Sequence, residues 1–257
     1  MSPKKRDPKD ENTKKERNVK KALVELRQTA PSSEFSTDFI DRMLFHMGGR
    51  SYDKYGAVAE RYPKKEQALQ KIVDRFTKYL YTRNRKFLID AANFSMIEFM
   101  HPSIEGAFFA GTDSDASPGR IMDGGEQSAR RNQDIEQAVT AKPNPIKIVI
   151  ETETPDSEYQ VSFFQGMINR MGVSFAKYGA VKDGYPYDVN AAESILLRIK
   201  KYEDSQNTEF LIDVANFCMI EYMFPSLVRT HYNPIEDLST VGRAAVSSVV
   251  AQNIATI

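Results

Sequence analysis

Apolar positions recur along this chain at helical spacing, and they do so twice. In residues 189–204, Ala191, Ile195, Arg198 and Tyr202 fall at i, i+4, i+7 and i+11, one stripe of a helix. Residues 65–81 place Ala68, Ile72, Arg75 and Tyr79 on the same stripe. A second pattern follows each one. Residues 85–100 and 208–223 carry Leu, Ile, Phe and Met on every side, and a helix apolar all round predicts a central, buried element. A shorter amphipathic segment precedes each pair, at residues 39–47 and 163–171. Gly48-Gly49 or Gly172 predicts a turn after it, and a Lys-Tyr-Gly loop follows. Tyr62-Pro63 or Tyr185-Pro186 closes that loop, and a proline suits a helix entrance because its missing N–H costs nothing there. Asn84 and Asn207 are N-cap candidates for the last helix of each set. Those helices are expected to stop before Pro102 and Pro225.

The recurrence is a sequence repeat. Residues 49–103 align with residues 172–226 at an offset of 123 without a gap, and 28 of the 55 positions are identical. Upstream of the glycines an offset of 124 fits better, pairing Phe39, Met43 and Met47 with Phe163, Met167 and Met171. One residue was gained or lost there. Two copies are too few for a solenoid and are better read as a pseudo-symmetric pair, the covalent analogue of a twofold dimer. The expected fold is therefore all-α: an internally duplicated helical bundle, two modules of about 60 residues joined by a long irregular linker. The boundaries read as an arm at 1–35, a first module at 36–103, a linker at 104–155, a second module at 156–226 and a C-terminal packing or oligomerisation helix at 227–257. The linker is rich in Gly and Pro and holds one strand-like run, Ile146-Lys147-Ile148-Val149-Ile150. The small-residue segment 241–257 suits close helix packing between chains, so a homo-oligomer is expected.

Charge changes the picture at one end only. The chain has 35 basic and 35 acidic side chains, but residues 1–21 hold nine Lys/Arg against four Asp/Glu. The arm is +5 and the remainder −5. It lacks apolar groups to bury and is expected to be disordered or loosely helical. It serves either as a solubilising tail or as a nucleic-acid contact. A single cysteine, Cys218, excludes a disulfide framework or a Cys-rich zinc site. No apolar run is long enough to span a membrane, and the first residues show no secretory leader. A cytoplasmic protein is expected.

Candidate chemistry lies on the last helix of each copy. Glu209, Asp213 and Asn216 fall at i, i+4 and i+7, on one face. Two carboxylates a turn apart with a further oxygen can hold Mg2+, and Arg198 on the neighbouring helix can clamp a phosphate. The first copy keeps Arg75, Asp90 and Asn93 but has Lys86 in place of Glu209, so the second copy is the expected metal site. The competing reading is a buried Arg198–Asp213 and Arg75–Asp90 ion pair that locks two helices together. Lys54-Tyr55 and Lys177-Tyr178 offer a cation and a stacking ring, or else a helix C-terminus capped by the next glycine. Residues 112–120 are dense in oxygen ligands without the spacing of an EF-hand loop; a tight Asx turn explains them as well. His46, His101 and His231 lack metal spacing.

The order of these features, a Lys-Tyr-Gly loop, a helix with a central Arg, a short turn and Asn-x-Glu-x-x-x-Asp-x-x-Asn, resembles phage and actinobacterial helical proteins related to the MazG-like all-α nucleotide pyrophosphohydrolases. The resemblance covers about 60 residues per copy. It implies a Mg2+-dependent cleavage of nucleoside triphosphates between the α and β phosphates. Glu209 and Asp213 would be the metal-binding catalytic pair. Arg198, Lys177, Tyr178 and Asn216, with Arg75, Asp90, Asn93, Lys54 and Tyr55 in the first copy, would contact the nucleotide. The usual Glu-x-x-Glu of the earlier helix is not matched: Glu193 stands alone, and the first copy offers only Glu66. Two further functions fit the same residues, a non-catalytic nucleotide sequesterer or sensor, and a structural or assembly protein with a nucleic-acid-contacting arm.

Overall fold

A computed structural model describes residues 21–111 and 146–235. Among these residues the protein is mostly helical, with one small two-stranded sheet. The basic arm before Lys21, the oxygen-rich segment 112–120 and the small-residue segment 241–257 lie outside the described residues. Among the described residues, no helix is long and apolar enough to cross a membrane.

In chain order, strand β1 (Ala22–Arg27) leads to helix α1 (Thr37–Phe45), α2 (Ala68–Thr82) and α3 (Lys86–Met100). Strand β2 (Lys147–Thr152) then leads to α4 (Val161–Tyr178), α5 (Ala191–Ser205) and α6 (Glu209–Met223). The two helices that are apolar on all sides, α3 and α6, pack on each other at the centre, with α2 against α3 and α5 against α6. Every residue of α6 from Glu209 to Tyr222 is buried. Burying apolar area of this kind contributes roughly 25 cal/mol per Å2, which explains why a sequence with no polar face sits in the middle.

The strands are the first departure from expectation. Residues 22–27, expected to be part of a disordered or loosely helical arm, pair antiparallel with β2, Val24 opposite Ile150. Alternation explains the pairing: Val24, Leu26 and Ile150 point into the core, while Glu25, Lys147 and Glu151 point out. The linker run at 146–150 is thus a strand whose partner lies more than a hundred residues upstream. Gln165 on α4 ties down β1, accepting from Arg27 N at 2.8 Å and donating to Arg27 O at 3.0 Å.

The glycines are the second departure. No turn follows residue 47 or 171. The helix α4 runs through Gly172 to Tyr178, and α1 continues as a π-helical stretch, His46–Tyr52, and a final turn, Asp53–Tyr55. The one-residue change of offset sits in that stretch. A π-helical turn absorbs one extra residue without breaking the helix. The glycines instead permit close approach. A Cβ on Gly172 would lie 2.5 Å from the Thr29 carbonyl oxygen, and one on Gly48 would collide with the Thr154 side chain. Gly172→Val is therefore expected to destabilise the fold by roughly 2 kcal/mol or more through overpacking against main chain, read as a shifted urea midpoint. An unchanged midpoint would show that Thr29 moves freely.

The prolines also sit differently. Tyr62–Pro63 and Tyr185–Pro186 are cis, and α2 and α5 begin five residues later. Asn190 caps α5, accepting from Ala192 N at 2.9 Å and Glu193 N at 3.3 Å. Asn84 and Asn207 do accept from the first helical N–H groups, Lys86 N and Glu209 N, each at 3.1 Å. They also hold a second segment. Asn207 clamps Ala110 by both amide atoms, and Asn84 clamps Asn233 in the same way. The chain leaving α3 is thus held at the start of α6, and the chain leaving α6 at the start of α3.

Buried acids cross between the halves in the same reciprocal manner. The Tyr202 hydroxyl donates to Glu98 at 2.9 Å, and the Tyr79 hydroxyl donates to Glu221. Glu98 and Glu221 each also accept from the N–H and hydroxyl of the serine five residues on, Ser103 and Ser226. Tyr185 adds a further donor to Glu221. Burial pushes the Glu98 carboxyl up, opposed by its Ser103 and Tyr202 donors.

Candidate functional site: two unlike clefts

Each half carries a cleft beside its last helix, lined by the residues singled out from sequence. Lys54, Tyr55, Arg75, Asp90 and Asn93 line the first; Lys177, Tyr178, Arg198, Asp213 and Asn216 line the second. Lys54-Tyr55 and Lys177-Tyr178 are helix C-termini, ended by Gly56 and Gly179 at φ 77° and 81°. The positive φ there is what glycine supplies at little cost. The loop is thus a capped helix terminus in both halves, and the terminal Lys and Tyr also line the cleft. Asn93 and Asn216 each donate to the main chain of the first helix of their half, to Met43 O at 3.1 Å and Met167 O at 3.2 Å.

In the second half the acids are already neutralised. Arg170 Nε lies 3.0 Å from Asp213 Oδ1, and its Nη1 lies 3.2 Å from Glu209 Oε1. Arg198 Nε lies 3.0 Å from Asp213 Oδ2. Two guanidinium groups thus face two carboxylates, all four side chains largely buried. This donor set does not fit Mg2+, which needs carboxylate oxygens turned toward the ion; here they are turned toward Arg170 and Arg198. Among the described residues, no group of three or more His, Cys, Asp or Glu side chains is placed to hold a metal ion. The cavity beside this cluster is small, about 120 Å3, with apolar walls from Met171, Val181, Val189, Phe217 and Ile220.

The first cleft is larger, about 680 Å3, and cationic. Lys54, Arg61, Lys71, Arg75 and Lys86 face Asp53, Glu66 and Asp90, an excess of two positive charges before His46 is counted. Asp90 is the hub. His46 Nδ1 lies 3.0 Å from one oxygen, and Lys86 Nζ 2.8 Å from the other. Arg75 Nε stands farther off, 3.8 Å from Asp90 Oδ2. Burial alone would raise the Asp90 carboxyl, but the His46 ring and the Lys86 ammonium outweigh it and bring it down to about 2. Arg61, at 2.8 Å, and Lys71 hold Glu66 and lower it to about 2 despite partial burial. Tyr55, half exposed, stacks under Arg61 and Lys54, each 4.9 Å from its ring centre. Pro234 and Ile235, from the chain leaving α6, complete the wall. Tyr232 just before them reaches His46 Nε2 at 3.3 Å.

Reading the sequence missed His46, Arg61, Lys71 and Arg170. The repeat itself hid two of them. Arg61 and Lys71 have Gly184 and Ser194 at the matched positions, so comparing the copies discarded them. His46 and Arg170 are matched to each other but differ in type, and each lies in the short amphipathic segment expected just before the glycines. The available signal was the contrast between copies, seen at Lys86 and Glu209 and not followed further. No family model, curated protein or solved structure matches this chain.

Proposed function

We propose that the protein binds a phosphate-bearing small molecule, a nucleotide in the first instance, in the cleft of the first half, without hydrolysing it. The observation that carries this reading is the cationic excess around a 680 Å3 cleft with an accessible ring, Tyr55, at its edge. Ligand clefts commonly measure ~300–1,000 Å3. Lysine and arginine supply the charge-assisted bonds a phosphate needs, and Tyr55 and Phe94 offer faces for a base. The expected Mg2+-dependent chemistry at Glu209 and Asp213 is not carried forward as the leading reading, because Arg170 and Arg198 occupy those carboxylates. Within this proposal the two halves are one module used twice. The first half serves as the anion site, and Lys177, Tyr178, Arg198 and Asn216 are released from that role.

The test is a thermal melt of the full chain with ATP, GTP, their deoxy forms and inorganic pyrophosphate, each with and without Mg2+. A ligand at a hundred times its Kd adds about 2.7 kcal/mol of stability, so a clear rise in Tm is expected, weakening with added salt. Lys71→Ala combined with Arg61→Ala is expected to abolish the rise. No pyrophosphate release above the buffer rate is expected with Mg2+. Failure of every nucleotide and of pyrophosphate to raise Tm would end the reading, and turnover lost in Asp213→Ala would restore the hydrolase.

A further inference from the structure

The register of the small sheet tells which main-chain groups face its edges. Gln28 N donates to Ile146 O at 2.9 Å, so these two residues form a hydrogen-bonded pair. Such pairs alternate with non-bonded ones along an antiparallel ladder. The bonded pairs are therefore Leu26–Ile148, Val24–Ile150 and Ala22–Thr152. The N–H and C=O groups of Lys147, Val149 and Glu151 point away from β1, and those of Leu23, Glu25 and Arg27 point away from β2. Arg27 agrees with this, since its N–H and C=O are both bonded to Gln165 of α4. The outer edge of β1 is closed there. At the offset of 124 the residue matched to Gln165 is Asp41 of α1. An ionised carboxylate has no donor to offer. A hollow of about 750 Å3 lies at this place instead, lined by Asp41, Lys21, Glu151 and Thr152 among others. Among the described residues, no hydrogen bond reaches the outward main-chain groups of β2. A row of unpaired N–H and C=O groups on an edge is a template for another strand.

We propose that this edge joins a second copy of the chain, β2 against β2, into a four-stranded sheet with its twofold axis at Val149. Read backwards, the strand is its own complement. Antiparallel pairing centred on Val149 sets Lys147 opposite the second copy's Glu151, and Glu151 opposite its Lys147. Each of these pairs, and Val149 with its own copy, would exchange both main-chain bonds. The charges on this face are already ordered, since Lys147 Nζ lies 2.9 Å from Glu25 and Lys21 Nζ 3.3 Å from Glu151. The row across the new sheet would read Glu25, Lys147, the second copy's Glu151 and its Lys21, alternating in sign. On the opposite face Ile148 would meet the second copy's Ile150, and Ile146, 66% exposed, would meet its Thr152. Pro145 has no N–H to give and ends the pairing. Charged side chains on an edge deter strands of the wrong pattern, and opposite charges across strands favour the right one. This surface shares no residue with the anion cleft of the first half, and neither reading requires the other.

The test is sedimentation of the full chain from about 1 μM to about 1 mM, with amide hydrogen exchange at both ends of that range. A dimer with a Kd on the order of 10 μM is expected for so small a contact, and exchange at Val149 should be slower in the concentrated sample. Val149→Pro removes an N–H that serves only the outer edge, a place where a strand tolerates proline, and is expected to weaken association at least ~10-fold. Lys147→Glu alone and Glu151→Lys alone each set like charges opposite one another, and each variant is expected to stay monomeric. Mixed together, these two variants are expected to pair, and the double variant should recover most of the association. Both positions are exposed, so the melting temperatures of the monomers should stay near that of the parent. A monomer at about 1 mM overturns the proposal. So does a dimer that Val149→Pro and both charge variants leave intact, which would place the contact elsewhere in the chain. Slow exchange at Val149 in the dilute monomer also overturns it, by showing the edge covered by a segment of the same chain.

Discussion

Glu221→Leu is expected to lower the melting temperature by roughly 8–16 °C, from a loss of about 4 kcal/mol at ~2–4 °C per kcal/mol for a chain of this size. The Glu221 carboxylate is 1% exposed and accepts from the Tyr79 and Tyr185 hydroxyls and from the Ser226 N–H and hydroxyl. Leucine fills similar volume but leaves those donors without an acceptor, and each unsatisfied buried donor costs about 1–3 kcal/mol. Tyr79 comes from the other half, so the same substitution loosens the contact between halves. Tyr79→Phe removes one donor and not the acceptor, and should cost only about 1 kcal/mol. Scanning calorimetry of the two variants checks both values. A Glu221→Leu shift no larger than that of Tyr79→Phe would mean that water reaches these groups.

The second large effect is expected at Arg198. Arg198→Met strips Asp213 of one of its two guanidinium partners and leaves a buried carboxylate half compensated. Breaking a buried pair from one side costs roughly 3–5 kcal/mol. Arg170 still reaches both Asp213 and Glu209, so the lower end of that range is expected. Adding Asp213→Leu to Arg198→Met should recover most of the loss, because an apolar pair replaces an ionic one without a stranded charge, and Arg170 keeps Glu209. Urea titrations of the single and double variants measure the coupling directly. If Arg198→Met were as stable as the parent, the helix-locking role of the pair would be wrong, and the cluster would have to be read as a site held for a ligand's sake.

These two residues mark how far the sequence could be read. The pairing of Arg198 with Asp213 was foreseen, since both lie on helices whose stripes face each other. The partner Arg170 was not, because nothing in the spacing of its own segment, 163–171, relates it to α6. Spacing along a helix tells which side chains share a face. It does not tell that Gly172 is needed for a close pass under Thr29, or that the helix therefore runs on to Lys177. The buried acids Glu98 and Glu221 are polar groups in apolar helices, and burial requires that they find partners. Beside the nearby serines, each takes a tyrosine of the opposite half, Tyr202 and Tyr79, and no local pattern points there. Cys218, by contrast, needed no tertiary information. It lies inside the apolar helix and is fully buried, with its thiol pushed up by burial.

The sequence by itself determined the helical character of the chain, the order of its main helices, the central placement of the two apolar helices and the repeated positions of Arg, Asp and Asn. All of these follow from periodicity within about twenty residues, the range over which a helix sets its faces. Only the tertiary structure decided the rest: the pairing of β1 with β2, the crossing of the chain ends onto opposite halves, and the charge of each cleft. The first two depend on contacts between residues roughly a hundred or more positions apart, and the charge of the clefts on a few unmatched side chains, Arg61, Lys71 and Lys86 on one side and Arg170 and Glu209 on the other. Two halves of similar sequence thus enclose one cationic cleft and one smaller cavity whose acids and bases nearly balance, because electrostatics at a site is set by the few charges that converge there and not by the pattern that folds the helices.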